Sequence, residues 1–212
     1  MFTDTPFIIR IAMLLTVASF AACDNAVGGA DDVQPDVASE QQAVTTEDSG
    51  AGRSIYQLTG TWHDQHGDSL ALGTMAGRVR VVAMVYTNCH SSCPLIIADM
   101  KRIEASLTER ERSQVGFVLV SLDPARDTPA QLAEWAGSIG LDDKYYTLLS
   151  GSDGAVRELS AALDVRYQTQ QNGELAHTNG LSILDRDGNI AHQQIGLGET
   201  PASIDVIKSL AR

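Results

Sequence analysis

The sequence predicts an α/β domain with a largely parallel central sheet, and three observations carry that prediction. Residues 79–86 form a nearly continuous apolar run, Val-Arg-Val-Val-Ala-Met-Val-Tyr, of the kind a strand buried on both faces requires. A second such run spans 115–122, and between the two Ile96, Met100, Ile103 and Leu107 recur at helical spacing. Strand, helix and strand in this order make a βαβ unit with a right-handed crossover. Finally, residues 181–184 and 190–195 flank Arg186-Asp187-Gly188-Asn189, where Asp-Gly marks the tight turn of an antiparallel hairpin.

The other elements follow in order. The folded domain begins near Ser54. Residues 56–62 and 69–72 flank Asp64-Gln65-His66-Gly67, which reads as a short hairpin with its turn near Gly67. Pro94 suits the first turn of the helix after the first buried strand, where its missing N–H costs nothing. Thr128-Pro129 opens a helix that runs through about Ser138. Residues 145–149 form a strand, 154–163 a short helix and 165–169 a further short strand. A helix over 201–210 closes the chain. A βαβ half followed by an antiparallel hairpin and a final helix is a thioredoxin-like layout, here with an N-terminal β-hairpin extension and occupying residues 54–212.

The N-terminal part is appendage rather than fold. Residues 8–20 are mostly apolar, Arg10 and the terminal amine supply positive charge, and small residues lead to Cys23 in Phe20-Ala21-Ala22-Cys23. This pattern predicts a lipoprotein-type signal peptide over residues 1–22 and a lipidated Cys23. A plain secretory signal or an uncleaved anchor helix are the alternatives. From residue 24 to 52 the chain is rich in Asp, Glu, Gln, Ser, Thr, Gly and Ala without one aromatic residue, too polar to offset its ordering entropy by burial. Residues 23–53 therefore read as a lipid-anchored, flexible acidic tether, with a random-coil span of roughly 30 Å. Asp24 resembles the signal that retains lipoproteins on the inner membrane, which places the domain on the periplasmic or extracytoplasmic side. In that compartment a close cysteine pair persists as a disulfide unless something reduces it. The formal net charge of −12 argues against a nucleic-acid partner, which would need clustered Lys and Arg.

The chemistry concentrates in Tyr86-Thr87-Asn88-Cys89-His90-Ser91-Ser92-Cys93-Pro94, directly after the first buried strand and directly before a helix. Only three cysteines occur in the chain, and the third is Cys23. Ligands of open α/β sheets collect beyond the carboxyl ends of the parallel strands. Cys89 and Cys93 follow the first such strand and Asp123 the second. His177 precedes the strand 181–184, which begins at the same edge if it runs antiparallel to them. The helix mouth favours thiolate at Cys93. Two thiolates and an imidazole suit Cu(I), and the imidazole allows Cu(II) as well. Structural zinc asks for a fourth protein ligand, which His90 could supply, so zinc stays open. A purely structural disulfide is the plainer reading of the pair, but closing so short a loop removes little chain entropy. Redox exchange is the other reading, although dedicated oxidoreductases of this fold usually carry Cys-x-x-Cys. His63 and His66 in a polar turn, His192 along a strand, and Trp62 and Trp135 read as ordinary structural residues. For Asp123, capping the Asp-Pro turn rivals any role at the site.

Three motifs in order, Tyr86-Thr87-Asn88-Cys89 through Cys93-Pro94, then Ser121-Leu122-Asp123-Pro124-Ala125-Arg126-Asp127-Thr128-Pro129, then His177-Thr178 before a strand and an Asp-Gly hairpin, resemble the SCO/SenC family over roughly residues 56–210. Members are membrane-tethered thioredoxin-fold proteins that bind copper and help assemble the dinuclear CuA centre of cytochrome c oxidase subunit II. The resemblance implies copper ligation by Cys89, Cys93 and His177, with Asp123 supporting the site by orienting His177 or tuning its redox behaviour. It implies copper delivery to subunit II, with an upstream copper donor or thiol reductant as a further partner. A thiol–disulfide oxidoreductase that keeps the CuA cysteines reduced is the alternative. The chain departs from the family at His90, where members commonly carry proline. That change loosens the loop and adds an auxiliary ligand or proton donor.

Overall fold

The computed structural model describes residues 54–171 and 173–212. The signal peptide expected over residues 1–22, the lipidation site Cys23 and the tether over 23–53 lie outside them. Among the described residues no helix is long and apolar enough to cross a membrane.

The continuous apolar runs are explained by two cores, one on each face of the sheet. Along β3 (Val79–Val85), Val79, Val81, Ala83 and Val85 enter one core while Val82 and Met84 enter the other. β4 (Val115–Ser121) divides in the same way, with Phe117 and Leu119 against Val118 and Val120. A strand covered on both faces has no solvent side, so alternation disappears from its sequence. The first core is closed by α1 (Cys93–Ser106), α3 (Pro129–Ser138) and α5 (Pro201–Leu210) through Ile96, Met100, Ile103, Leu132 and Ile207. The second is closed by α4 (Asp153–Ala162) through Val156 and Leu159, together with the buried Trp62. Thr128 caps α3 by accepting the Gln131 N–H, and Ser152 caps α4 by accepting that of Ala155.

With β1 (Thr61–Asp64), β2 (Ser69–Ala71), β5 (Tyr146–Gly151), β8 (Gly180–Leu184) and β9 (Ile190–Ile195), the seven-stranded sheet runs β2-β1-β5-β4-β3-β8-β9. β3, β4 and β5 are parallel, whereas β8 is antiparallel to β3 and begins at the edge where the parallel strands end. That is the arrangement the site requires. The N-terminal hairpin is no loose extension, because β1 pairs with β5 and makes the hairpin one flank of the main sheet. Its turn is pinned by Gln65, which donates to the Tyr146 carbonyl and accepts the Leu148 N–H.

Three local features differ from the sequence expectations. The segment before β1 is a 3-10 turn over Ile55–Gln57 rather than strand, with Ser54 accepting the Tyr56 N–H. A short helix α2 (Glu109–Arg112) precedes β4, started by a reciprocal capping box between Thr108 and Glu111. The strand β6 (Tyr167–Thr169) pairs with an unanticipated β7 (Leu175–His177) as a separate two-stranded hairpin.

The Asp-Gly turn between β8 and β9 holds Gly188 at φ +84°, and a Cβ there would lie 2.5 Å from the Tyr56 ring. Gly188→Ala is therefore expected to destabilise the protein by about 1–3 kcal/mol through backbone strain and overpacking. Urea denaturation checks this, and an unchanged midpoint would refute the contact.

Candidate metal centre

β3 ends at Val85, and the chain turns at once, with the Cys89 N–H donating to the Tyr86 carbonyl over 3.2 Å. The Leu122 N–H donates to the Val85 carbonyl and keeps the ends of β3 and β4 together. The loop between is held by a residue the sequence reading passed over. Asp127 is 1% exposed, and its carboxylate accepts from the Thr87 N–H at 3.1 Å, the Thr87 hydroxyl at 2.5 Å and the Ser121 hydroxyl at 2.6 Å. It thus ties the start of the cysteine loop to the end of β4.

From this base the two sulfurs and His177 converge. The Cys89 and Cys93 sulfurs and a ring nitrogen of His177 all lie within 4.8 Å of one another, and the two cysteines are free thiols. His177 Nε2 is 3.8 Å from Cys93 Sγ. Its Nδ1 lies 3.0 Å from the carbonyl of Thr178, an acceptor that demands the proton on Nδ1 and so leaves the Nε2 lone pair facing the sulfurs. The Tyr86 ring packs edge-on against the imidazole, with centroids 6.0 Å apart and planes at 79°. The ring nitrogen is thereby aimed and its tautomer chosen before any metal arrives.

The two thiols are not equivalent. Burial pushes the Cys89 thiol up, but bonds from the Cys93 thiol, the Cys93 and Ser91 N–H groups and the Ser92 hydroxyl outweigh it and lower the pKa to about 6. The Cys93 N–H lies 3.3 Å from Cys89 Sγ, nearer than the Ser92 hydroxyl at 3.7 Å. Cys93 is 0% exposed, and burial, then its bond to Cys89, raises its own pKa. This corrects the expectation that the helix mouth makes Cys93 the thiolate. The first-turn N–H of α1 points at Cys89 Sγ, so the benefit falls on the sulfur in front of the helix rather than the one inside it. The Tyr86 hydroxyl is pushed up to about 12 by burial and then by its bond to Cys89.

A pH dependence follows. Alkylation of the reduced, metal-free protein should begin at Cys89, with a rate that climbs as pH rises through about 6 and then levels off. The folded value lies below the ordinary 9.0, so the stability Cys89 contributes is complete above that value and is lost as pH falls through about 6. Mass-resolved labelling checks both site and profile. Cys93 labelled first would contradict the assignment.

Asp123 and His90 take other places than the site's interior. The Asp123 carboxylate pairs with the guanidinium of Arg126, which also reaches the Gly173 carbonyl in the β6–β7 loop. Its main-chain carbonyl accepts the N–H groups of Arg126 and Asp127, which closes the Asp-Pro turn. Imidazole orientation, expected of Asp123, comes instead from Thr178 and Tyr86. His90 is exposed and is not part of the three-donor group. Cys89 borders an apolar cleft of about 270 Å³ walled by Pro94, Ile97, Trp135 and Ile139, so it is the sulfur nearer to solvent.

Comparison with known proteins bears on the family and the fold. The sequence matches the SCO1/SenC family over residues 50–212. A protein of Stutzerimonas stutzeri, named provisionally for copper binding, is 29% identical over 136 residues, covering 60% of this chain and 63% of that one. The chain thus matches less than two thirds of that relative's length. The crystal structure of a SCO1/SenC family lipoprotein from Bacillus anthracis superposes with a TM-score of 0.66 and 25% identity, covering 74% of this chain and 96% of that one. Bradyrhizobium japonicum ScoI, solved with copper bound, shares the fold with a TM-score of 0.57 at 23% identity, over 71% of this chain and 96% of its own. The fold is accordingly the thioredoxin-like one of these proteins. With a match that takes in the whole described domain and all three motif segments, the chain belongs to the SCO1/SenC family.

Proposed function

We propose that the protein binds one copper ion through Cys89 Sγ, Cys93 Sγ and His177 Nε2 and delivers it to the CuA centre of cytochrome c oxidase subunit II. The observation that carries this reading is the convergence of the three donors within 4.8 Å from segments far apart in sequence. Two soft sulfurs and one imidazole suit copper in either oxidation state. Zinc is the poorer fit, since His90 stands outside the group and no fourth donor joins it among the described residues. A three-donor shell also permits transfer, because an incoming thiolate can attack the ion before any resident ligand leaves. In this reading an upstream protein supplies the copper or the reducing equivalents. The lipid on Cys23 and the acidic tether hold the domain at the inner membrane, facing the periplasm and within reach of the oxidase.

Reduced protein titrated with Cu(I) against a competing chelator should retain one equivalent, and Cys89→Ser or Cys93→Ser should lower the affinity by ~100-fold or more. Wild-type protein that cannot hold copper against a weak chelator would sink the metal assignment. Transfer is tested separately, by mixing the loaded protein with metal-free subunit II domain and following the CuA absorption.

A second reading is favoured by the asymmetry of the thiols. One acidic thiol at the edge of a cleft, 7% exposed, beside a fully buried partner of raised pKa is the arrangement of an attacking and a resolving thiol, which would reduce the CuA cysteines of subunit II. Disulfide turnover that persists in His177→Ala would support this activity, since the imidazole has no necessary part in it.

A further inference from the structure

Ser92 stands at the N-cap of α1, where a serine side chain ordinarily accepts an N–H from the first turn. Here it makes no such bond, and its backbone, at φ −90° and ψ −33°, is helical rather than in the extended conformation usual for a capping residue. The oxygen lies 3.7 Å from Cys89 Sγ and 3.5 Å from His177 Nε2, between two donors of the metal set. The neighbouring Ser91 hydroxyl is farther from the sulfur, at 4.0 Å.

A serine hydroxyl carries one proton and can donate it to one acceptor at a time. In the metal-free protein two acceptors compete for it. The Nε2 lone pair is one, since Nδ1 serves the Thr178 carbonyl, and the Cys89 sulfur is the other. Once an ion takes up the Nε2 lone pair, the sulfur is the acceptor that remains. We propose that Ser92 is a positioning residue that sets the oxidation-state preference of the centre: freed from His177 when copper binds, its hydroxyl donates to Cys89 Sγ and biases the site toward Cu(I). This rests on the copper reading given above.

The physical reason is electrostatic. A hydrogen bond to a ligating thiolate draws charge from the sulfur, and hydrogen bonding around the cysteine sulfur is one of the means by which proteins tune copper redox potentials. Cu(II), the more highly charged ion, loses more from a weakened anionic donor than Cu(I) does. Unlike the Cys93 N–H, which belongs to the backbone, this donor can be removed by a single substitution.

The test compares wild type, Ser92→Ala and Ser92→Thr. Three quantities are measured on each: Cu(I) and Cu(II) affinities by chelator competition, the sulfur-to-Cu(II) charge-transfer band, and the melting temperature of the metal-free protein. In Ser92→Ala the ratio of Cu(I) to Cu(II) affinity should fall about tenfold, the scale of one charge-assisted hydrogen bond. For a one-electron couple that is a drop of about 59 mV in potential. The band should move to longer wavelength, and the melting temperature should change little, because no cap is lost and Ser92 is the last of several donors to Cys89. Ser92→Thr, which keeps the hydroxyl, should restore ratio and band together. An unmoved ratio and band in Ser92→Ala, with copper still held, would overturn this inference alone, and so would a fall in melting temperature without a change in ratio, which would return Ser92 to helix capping. Wild-type protein that holds copper in neither oxidation state would overturn the copper reading and this inference with it.

Discussion

His177→Ala is expected to lower copper affinity by ~100-fold or more while leaving the fold intact. The imidazole is the only nitrogen donor in the group, and it reaches the sulfurs from the end of β7, a strand outside the main sheet. Its loss leaves two thiolates. Cu(I) tolerates two soft ligands, whereas Cu(II) needs the harder imidazole, so the Cu(II) state should suffer more. The side chain is only half-buried and its contacts are one carbonyl, one ring edge and the site itself, so truncation should cost no more than about 1 kcal/mol of stability. Chelator competition in both oxidation states, beside urea denaturation of the metal-free protein, separates lost ligation from lost structure. Unchanged affinity in His177→Ala would remove the imidazole from the site and favour the dithiol activity.

The sequence revealed this site because topology does much of the work. Two buried strands with a helix between them are parallel, which puts Cys89 and Cys93 at one edge of the sheet; His177 joins them on the condition that strand 181–184 runs antiparallel, which the pairing of β8 with β3 meets. What escaped the sequence was whatever depended on non-local pairing or on rank among similar groups. β1 joins β5 across more than eighty intervening residues, and nothing in Thr61–Asp64 names that partner. β7 is three residues long, Leu175-Ala176-His177, too short for any periodicity to register. The α2 start was legible in Thr108-x-x-Glu111, a capping-box signature. The helix mouth at Cys93 is visible in the sequence but its burial is not, and burial is the largest cause of its raised pKa. Asp123 and Asp127 belong to one motif and both are buried, and nothing in the motif tells that Asp127 binds the cysteine loop while Asp123 turns to the exposed Arg126.

That distinction yields a large and testable contrast. Asp127 is 1% exposed and accepts from three donors, two of them on Thr87, two residues before Cys89. Asp127→Ala would leave the Thr87 N–H and two hydroxyls without their acceptor at a buried position, which should cost about 3 kcal/mol or more. It would also release the start of the cysteine loop. A ligand loop freed from its anchor should lose copper affinity by roughly 10–100-fold, even under conditions where the variant remains folded. Asp127→Asn should fall between, since one amide oxygen can still accept while the NH2 faces donors. Asp123→Asn should behave differently. Its carboxylate is buried but pairs with the solvent-exposed guanidinium of Arg126, an ion pair that the neutral amide can replace by a hydrogen bond, and its turn is closed by main-chain bonds that survive the change. Denaturation midpoints and Cu(I) affinities of the three variants decide the matter. Equal effects at 123 and 127 would mean that burial of Asp127 is not what holds the loop; a large effect confined to 127 identifies it as the anchor of the metal site.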